Sequence, residues 1–249
     1  MSAVLSSAAS AASMRLKPTG DSPLVTEKEI YGSRLSLANA DIIELGCGRA
    51  IQTLSIAKAH PGARITAMEV DPIQNRLNAE LDAPANVRFV ACGAQAIAAT
   101  DASADVVMMF KSLHHVPDDL LDTAMREIRR VLRPGGFAYI SEPVFAGELN
   151  EVVRIFHDEE KVRIAAFGAV QRAVSSGLFE LVEEIFFETK MRYADFAEFE
   201  RLMIGATDTA YKLDADQYRR VRERFALSMG ADGANFRSPM RVDLLRRAP

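Results

Sequence analysis

Glu44, Gly46 and Gly48 stand within the run Glu44-Leu45-Gly46-Cys47-Gly48, and a second acid, Glu69, follows about 20 residues later. A ligand laid across the end of a strand needs backbone without a Cβ, and glycines permit both that approach and a tight turn. A carboxylate that closes the next strand can accept both hydroxyls of a ribose. The spacing therefore suits a ligand that carries adenosine. Two alternatives fit less well: a dinucleotide fingerprint wants a third glycine where Ile51 stands, and the Gly-Lys-Ser/Thr of a phosphate-cradling loop is absent from the sequence. His114 and His115 form a second group of interest, because a neutral imidazole can take a proton from a hydroxyl. Glu142 joins them as a candidate catalytic residue. Asp71 reads as a helix cap. His157 beside Asp158-Glu159-Glu160 has the residue types of a metal site but reads as a solvated helix start, so no metal ligands are expected. Cys47 and Cys92 read as packed small residues.

The elements that must carry these residues alternate between short β-rich runs and helical patterns, the mark of a parallel sheet covered on both faces. Strands are expected at 41–45, 64–70, 87–92, 105–110 and 137–141. A helix over 50–60 should bury Ile51 and Leu54, and one from Pro72 should bury Ile73, Leu77 and Leu81. The clearest helix has Leu120, Leu121, Ala124, Met125, Ile128, Val131 and Leu132 at the helical period, Asp118 and Asp119 in its first turn, and Arg129 and Arg130 in its last. Arg133-Pro134-Gly135-Gly136 stops it. Beyond Pro143, Asp158 can cap a helix carrying Ile164, Phe167, Val170 and Val174. A long strand over 179–193 should point Phe179, Leu181, Ile185, Phe187 and Met191 one way. Two further helices are expected at 196–204 and 215–229, then a strand at 240–245.

With 249 residues the chain suits one α/β domain, and its formal charge of -4 offers no basic field for nucleic acid. Two cysteines are too few for a disulfide framework and agree with a reducing compartment. No apolar run approaches the roughly 20 residues of a membrane span. The first dozen residues, mostly Ala and Ser, lack the features of a secretory or transit signal and read as a leader, giving a cytoplasmic address. The expected organisation is a flexible leader over 1–20 and a single domain over 21–249. Within that domain lie a core at about 36–143 and helical lid or acceptor segments at about 147–176 and 193–230.

The stretch from Asp41 to Glu142 resembles the class I S-adenosylmethionine-dependent methyltransferases, in their broad small-molecule branch. Ile42-Ile43-Glu44-Leu45-Gly46-Cys47-Gly48 is similar to their first motif, and Ile65-Thr66-Ala67-Met68-Glu69 to their second strand with its ribose acid. Asp105 to Val116 is similar to the fourth strand and its loop, and Arg130 to Gly136 to the turn before strand five. The resemblance implies a Rossmann-like α/β fold: a seven-stranded, mostly parallel sheet ending in an antiparallel hairpin, with helices on both faces. It implies S-adenosyl-L-methionine as cofactor, with Glu44, Gly46, Cys47 and Gly48 beside the methionine part and Glu69 and Val70 at the ribose. Lys111 and Ser112 would form the wall at the tip of strand four. Where relatives carry an acid for adenine, this chain has Gly93, Ala94 and Gln95, so Gln95 or main chain would take that role. Ala50 replaces a third glycine of the first motif.

Methyl transfer from a sulfonium is an in-line displacement that depends mainly on alignment, so the motifs identify the donor and leave the acceptor open. The Asn/Asp-Pro-Pro-Tyr of amino methylation is missing after strand four, as is a nucleophilic cysteine for cytosine carbon, and arsenic chemistry would want more cysteines. A small-molecule acceptor is expected, with no nucleic acid or membrane partner and a monomer or homodimer as the working unit. Some of Phe156, Phe167, Phe196, Phe199, Tyr211 and Phe225 could roof an apolar acceptor pocket, the rest packing helices on the sheet. The alternatives are a non-catalytic binder of the same cofactor and an enzyme that transfers a modified group.

Overall fold

Strand β1 (Asp41–Leu45) lies between β2 (Arg64–Glu69) and β4 (Ala104–Phe110) and runs parallel to both. The computed structural model describes residues 11–205 and 211–248. β3 (Val87–Ala91) continues the parallel sheet beyond β2, and β5 (Leu132–Pro143) continues it beyond β4. β6 (Glu180–Tyr193) and β8 (Gly233–Arg246) complete the order β3-β2-β1-β4-β5-β8-β6, with β8 antiparallel to both of its neighbours. A two-residue strand, β7 (Met229–Gly230), pairs with the start of β8. The sheet thus has eight strands, one more than the seven expected. The chain turns back on itself right after the last helix, so β8 begins at Gly233, well before Met240.

Both faces of the sheet are covered, which explains the unbroken apolar runs of its inner strands. On one face Ile43, Leu45, Val107, Met109 and Ile140 pack with α4 (Leu121–Val131) and α6 (Glu160–Ser175). On the other, Ile42, Val106, Met108 and Tyr139 pack with α1 (Glu27–Arg34) and α2 (Ile51–Ala59). The expected single face of the 179–193 strand does not occur. A register shift between Leu181 and Glu183 inserts one residue, and β6 changes side there. Phe179 and Leu181 therefore join the first core, while Ile185 and Phe187 join the second.

Two helical stripes expected to be buried face outward instead. α2 buries Thr53, Ile56 and Ala57, leaving Ile51 70% exposed. α3 (Pro72–Ala79) leaves Ile73 and Leu77 exposed and Leu81 beyond it exposed too; its one buried side chain is Asn78, whose amide donates to the Gly48 carbonyl at 2.7 Å. Asp71 caps α3 by accepting from the Ile73 N–H at 2.8 Å. A helix that flanks a binding cleft can trade apolar burial for such a tie, and Ile51, Leu77 and Leu81 sit at the cleft described below. Asp118 and Asp119 lie in a short 3-10 turn ahead of α4. Ile164 is also exposed.

A smaller third core stands over the carboxyl ends of the strands. α5 (Glu148–Val153), α7 (Phe196–Phe199), the π turn that follows it at Glu200–Ile204, and α8 (Ala215–Ala226) enclose Tyr193, Phe199, Phe225 and Phe236. Within the span expected as a leader, Ala11–Ser13 form one 3-10 turn and Met14 is buried in the first core; residues 1–10 of that span, and 206–210 of the second lid segment, lie outside the described residues. No described helix is long and apolar enough to cross a membrane.

Candidate functional site

The strand order reverses between β1 and β4, and a ligand crevice is expected outside the strand ends at such a point. Here β1 ends at Leu45 and the chain turns through Gly46, with φ +68°, and Gly48, with φ +49°. The N–H groups of Gly46 and Cys47 both donate to the Met68 carbonyl, at 2.9 and 3.0 Å, so the turn is pinned to β2. A Cβ on Gly48 would have no atom within 4 Å. That open space is what an adenosyl ligand passing the turn requires.

Two clefts meet at this turn. One, of about 580 Å³, is lined by Glu44, Gly46, Cys47, Gly48, Phe110 and Lys111, together with Val25, Thr26 and Glu27 from the start of α1. The other, of about 870 Å³, shares Gly48, Arg49 and Ile51 and is lined by Glu69, Asp71, Leu77 and Leu81. Glu69 accepts N–H bonds from Gly48 at 2.7 Å, Val70 at 2.8 Å and Asp71 at 3.0 Å. Its carboxylate is thus held rigidly with acceptor capacity left over, since two oxygens offer about four lone-pair sites. Thr26 fixes the start of α1 through a capping box with Glu29, and this places Glu27 beneath the first cleft, where Tyr139 Oη donates to it at 2.6 Å.

Glu44 is fully buried and accepts from Thr53 Oγ1 at 2.5 Å. Burial pushes its pKa up to about 7, with the Thr53 bond opposing. A carboxyl with a raised folded-state pKa contributes stability below its unfolded value and loses it as pH rises through the folded one. The protein should therefore lose stability relative to its Glu44→Gln variant between about pH 5 and 7, on the order of 3 kcal/mol at most. Melting curves of both across that range check this; parallel curves would show that Glu44 is already ionised.

Lys111 follows β4 with φ +56°, a left-handed conformation that lysine rarely adopts, and its N–H donates to the Ser141 carbonyl at 2.7 Å. Its side chain opens onto the first cleft and also onto a third pocket of about 350 Å³. Crowding by protein atoms desolvates the ammonium and draws its pKa below the usual lysine range, with Glu27 opposing. The third pocket has apolar walls from Val144, Leu149, Val153, Phe156, Met191 and Met203. Its polar side holds His114, His115, His157, Glu159 and Arg163. His114 Nδ1 bonds Glu142, whose other oxygen accepts the Leu113 N–H at 2.9 Å. His114 Nε2 lies 3.5 Å from Glu159, which also bonds His157 Nε2 at 2.8 Å and Arg163 Nη2 at 2.6 Å. Burial disfavours charge on His114, but the two carboxylates prevail and raise its pKa to about 9. His115, whose ring centre lies 4.1 Å from that of His114 at a 45° tilt, is shifted the other way by burial and by that neighbouring charge.

The structure brings Glu44, Gly46, Cys47, Gly48 and Lys111 to one cleft and Glu69 to its continuation. Val70 is exposed and lines none of the three cavities. Ser112 instead works behind the turn, donating to the Leu45 carbonyl at 2.7 Å. Gly93, Ala94 and Gln95 line none of these three cavities; the Gln95 amide folds over Gly93, and Ala94 is buried. Burial also pushes the Cys47 thiol up to about 12, which makes it inert. Of the expected catalytic residues, His114 and His115 face the third pocket, whereas Glu142 lies behind His114. The solvated helix start expected at 157–160 is corrected: Asp158 and Glu160 are exposed, but Glu159 is buried and bonded to His157. Sequence reasoning passed over Glu27, Asn150, Arg163 and Met191, whose place at the site depends on how distant segments come together. Of the aromatic candidates, Phe156 and Tyr211 line the third pocket, while Phe199 and Phe225 fill the lid core and Phe167 the first core.

Residues 42–136 match the family described as a methyltransferase domain. Among curated relatives, a sterol 4-C-methyltransferase of Caenorhabditis elegans is 33% identical over 102 residues, covering 39% of this chain and 29% of that protein. A ubiquinone biosynthesis O-methyltransferase of Pseudomonas fluorescens is 32% identical over 111 residues, covering 43% of this chain and 46% of that protein. The chain thus spans less than half the length of these relatives. A Bacillus halodurans protein described as a candidate methyltransferase has the same fold, with a TM-score of 0.59 at 13% identity, covering 89% of this chain and 98% of that one. Through its residues 42–136 the chain is similar to the methyltransferase domain family, and its fold is that of the solved methyltransferase-like structure.

Proposed function

We propose that the protein transfers a methyl group from S-adenosylmethionine to a small, largely apolar acceptor held in the third pocket. One observation carries this reading: Lys111 and Met191 line both the glycine-turn cleft and the third pocket, so donor and acceptor meet there. The cofactor, when bound, supplies a methyl on a positively charged sulfur, which is already an activated leaving group. Gly48 leaves room for it, Gly46 lets the turn pack against Ser112, and Glu69 would accept from its ribose hydroxyls. Glu44 faces the methionine part, where a cationic amine would favour the ionised carboxyl. Apolar side chains from α5 and β6 exclude water from the junction, which strengthens electrostatic contacts there.

An O–H or N–H acceptor must lose a proton as its new bond to carbon forms and the carbon–sulfur bond breaks. Lys111 is the group placed to take that proton. Desolvation draws its pKa below the usual lysine range, and a sulfonium alongside would draw it in the same direction. The reaction then leaves S-adenosylhomocysteine, a methylated acceptor and a protonated Lys111. The names of the curated relatives, a sterol and a ubiquinone-pathway methyltransferase, agree with an apolar acceptor.

Incubating the protein with S-adenosylmethionine and a fractionated pool of lipophilic phenols and alcohols should release S-adenosylhomocysteine in specific fractions. Release in none of them, with cofactor binding intact, would leave a binder in place of a transferase. Glu69→Ala should weaken cofactor binding by about 1–3 kcal/mol, because it unpairs buried donors as well as the ribose. Calorimetric titration checks this, and an unchanged affinity would remove Glu69 from the site.

A further inference from the structure

We propose that His114, His115 and Glu159 bind a divalent first-row transition-metal ion on the polar wall of the third pocket, which there receives an acceptor with two neighbouring oxygen donors. The proposal rests on reading that pocket as the acceptor site.

The three residues offer two imidazole nitrogens and a carboxylate oxygen that all lie within 4.8 Å of one another. Ligand atoms about 2.1 Å from a shared ion stand about 3–4 Å apart, so side-chain shifts of about 1 Å would close the set. The arrangement around them has the form of a built site. His114 cannot turn freely, because its Nδ1 is bonded to Glu142 and Glu142 is itself fixed by the Leu113 N–H. A carboxylate behind one ring nitrogen is the usual outer partner of a metal-binding imidazole, and an ion at the other nitrogen would displace the proton that His114 holds toward Glu159. That other nitrogen, Nε2, lies 3.5 Å from Glu159 Oε1. The remaining oxygen of Glu159 accepts from Arg163 at 2.6 Å, which holds Oε1 toward the imidazoles. His157 Nε2 bonds the same oxygen at 2.8 Å, which further fixes the carboxylate.

Two imidazoles and one carboxylate suit zinc, iron, manganese or cobalt better than magnesium, which prefers oxygen ligands and retained water. His115 is exposed to the pocket while His114 and Glu159 are buried, so the protein closes one side of the ion and leaves the other side toward the acceptor. An ion with open positions on one side can chelate two adjacent oxygens, as in a catechol or an α-hydroxy ketone, and eases loss of an O–H proton. Lys111 and Arg163 line the same pocket and favour the resulting anion. The chemistry thus narrows the acceptor from any apolar molecule to one with such an oxygen pair.

The test uses the full chain, stripped with a chelator and then titrated with cobalt(II) alone, with visible absorption as the readout and zinc(II) competition to follow. One ion per chain is expected. His115→Ala and Glu159→Gln should each weaken binding about tenfold or more, and Glu142→Gln roughly 10–100-fold. His60→Ala, at the end of α2, should leave it unchanged. Melting curves of each variant establish that it folds, and His115, being exposed, is the substitution the fold tolerates best. No cobalt spectrum at millimolar concentration overturns the site, as does wild-type affinity in the folded His115→Ala/Glu159→Gln double variant. Titration of the same samples with S-adenosylhomocysteine separates the two levels: intact binding without cobalt removes the metal site alone, whereas no binding removes the donor cleft on which the reading rests.

Discussion

Replacing Lys111 with glycine should make the protein more stable and nearly inactive. The φ of +56° at Lys111 costs a non-glycine residue about 1–2 kcal/mol, of which glycine recovers all but the entropy of its own looser unfolded chain. A net gain of up to about 1 kcal/mol corresponds to roughly 2–4 °C in a protein of this length. Removing a positioned proton acceptor typically lowers the rate by about 10²–10⁴-fold. The two effects have different origins, so Lys111→Ala separates them: it keeps the strained backbone and loses the amine, and should be as inactive as the glycine variant without being more stable. Thermal melts and turnover with any accepted substrate check both halves. Turnover within a few-fold of wild type in Lys111→Gly would relieve Lys111 of the proton-transfer role. Strain kept at one residue beside the meeting point of two clefts is the pattern expected where function, not folding, selects the side chain.

Gly46→Ala should do the reverse, destroying cofactor binding by damaging the fold locally. A Cβ there would stand 2.6 Å from Ser112 Cβ, and φ is +68°, so the substitution combines a steric clash with left-handed strain. Overpacking costs about 1–3 kcal/mol and the conformation about 1–2 more, giving about 2–5 kcal/mol in all. Relief is possible only if the Gly46 turn or the tip of β4 moves, and either movement opens the junction where the two strands meet. Chemical denaturation and S-adenosylhomocysteine titration should both register the change. Adding Ser112→Gly removes the clashing atom but also the bond from Ser112 to the Leu45 carbonyl, so it should restore part of the loss. A Gly46→Ala protein with wild-type stability would mean that the two strand tips are not packed as described.

The parallel half of the sheet was legible because its strands are buried on both faces and flanked by glycine and proline turns. Residues 41–45 and the amphipathic stripe of α4 needed nothing beyond local pattern. The misjudged elements share a cause, for each depended on what lay opposite. Alternation over 179–193 could not reveal the inserted residue at which β6 changes side. The stripes of α2 and α3 looked like core because period alone does not say whether a partner or a cleft faces them. At the site, the glycine turn and Glu69 were readable from spacing, as a backbone requirement leaves a mark in sequence. Glu27, Arg163 and Glu159 were not, because their burial comes from contacts between distant segments. The pair His157 and Glu159 was noticed for its residue types, but only the fold shows the carboxylate turned inward toward His114.

Isothermal titration of the purified protein with S-adenosylmethionine probes the donor cleft without needing to know the acceptor. One molecule per chain should bind, with S-adenosylhomocysteine competing for the same place and a nicotinamide dinucleotide producing no heat. Silence from the sulfonium compound at millimolar concentration, or tighter binding of the dinucleotide, would contradict the donor site on which the rest is built.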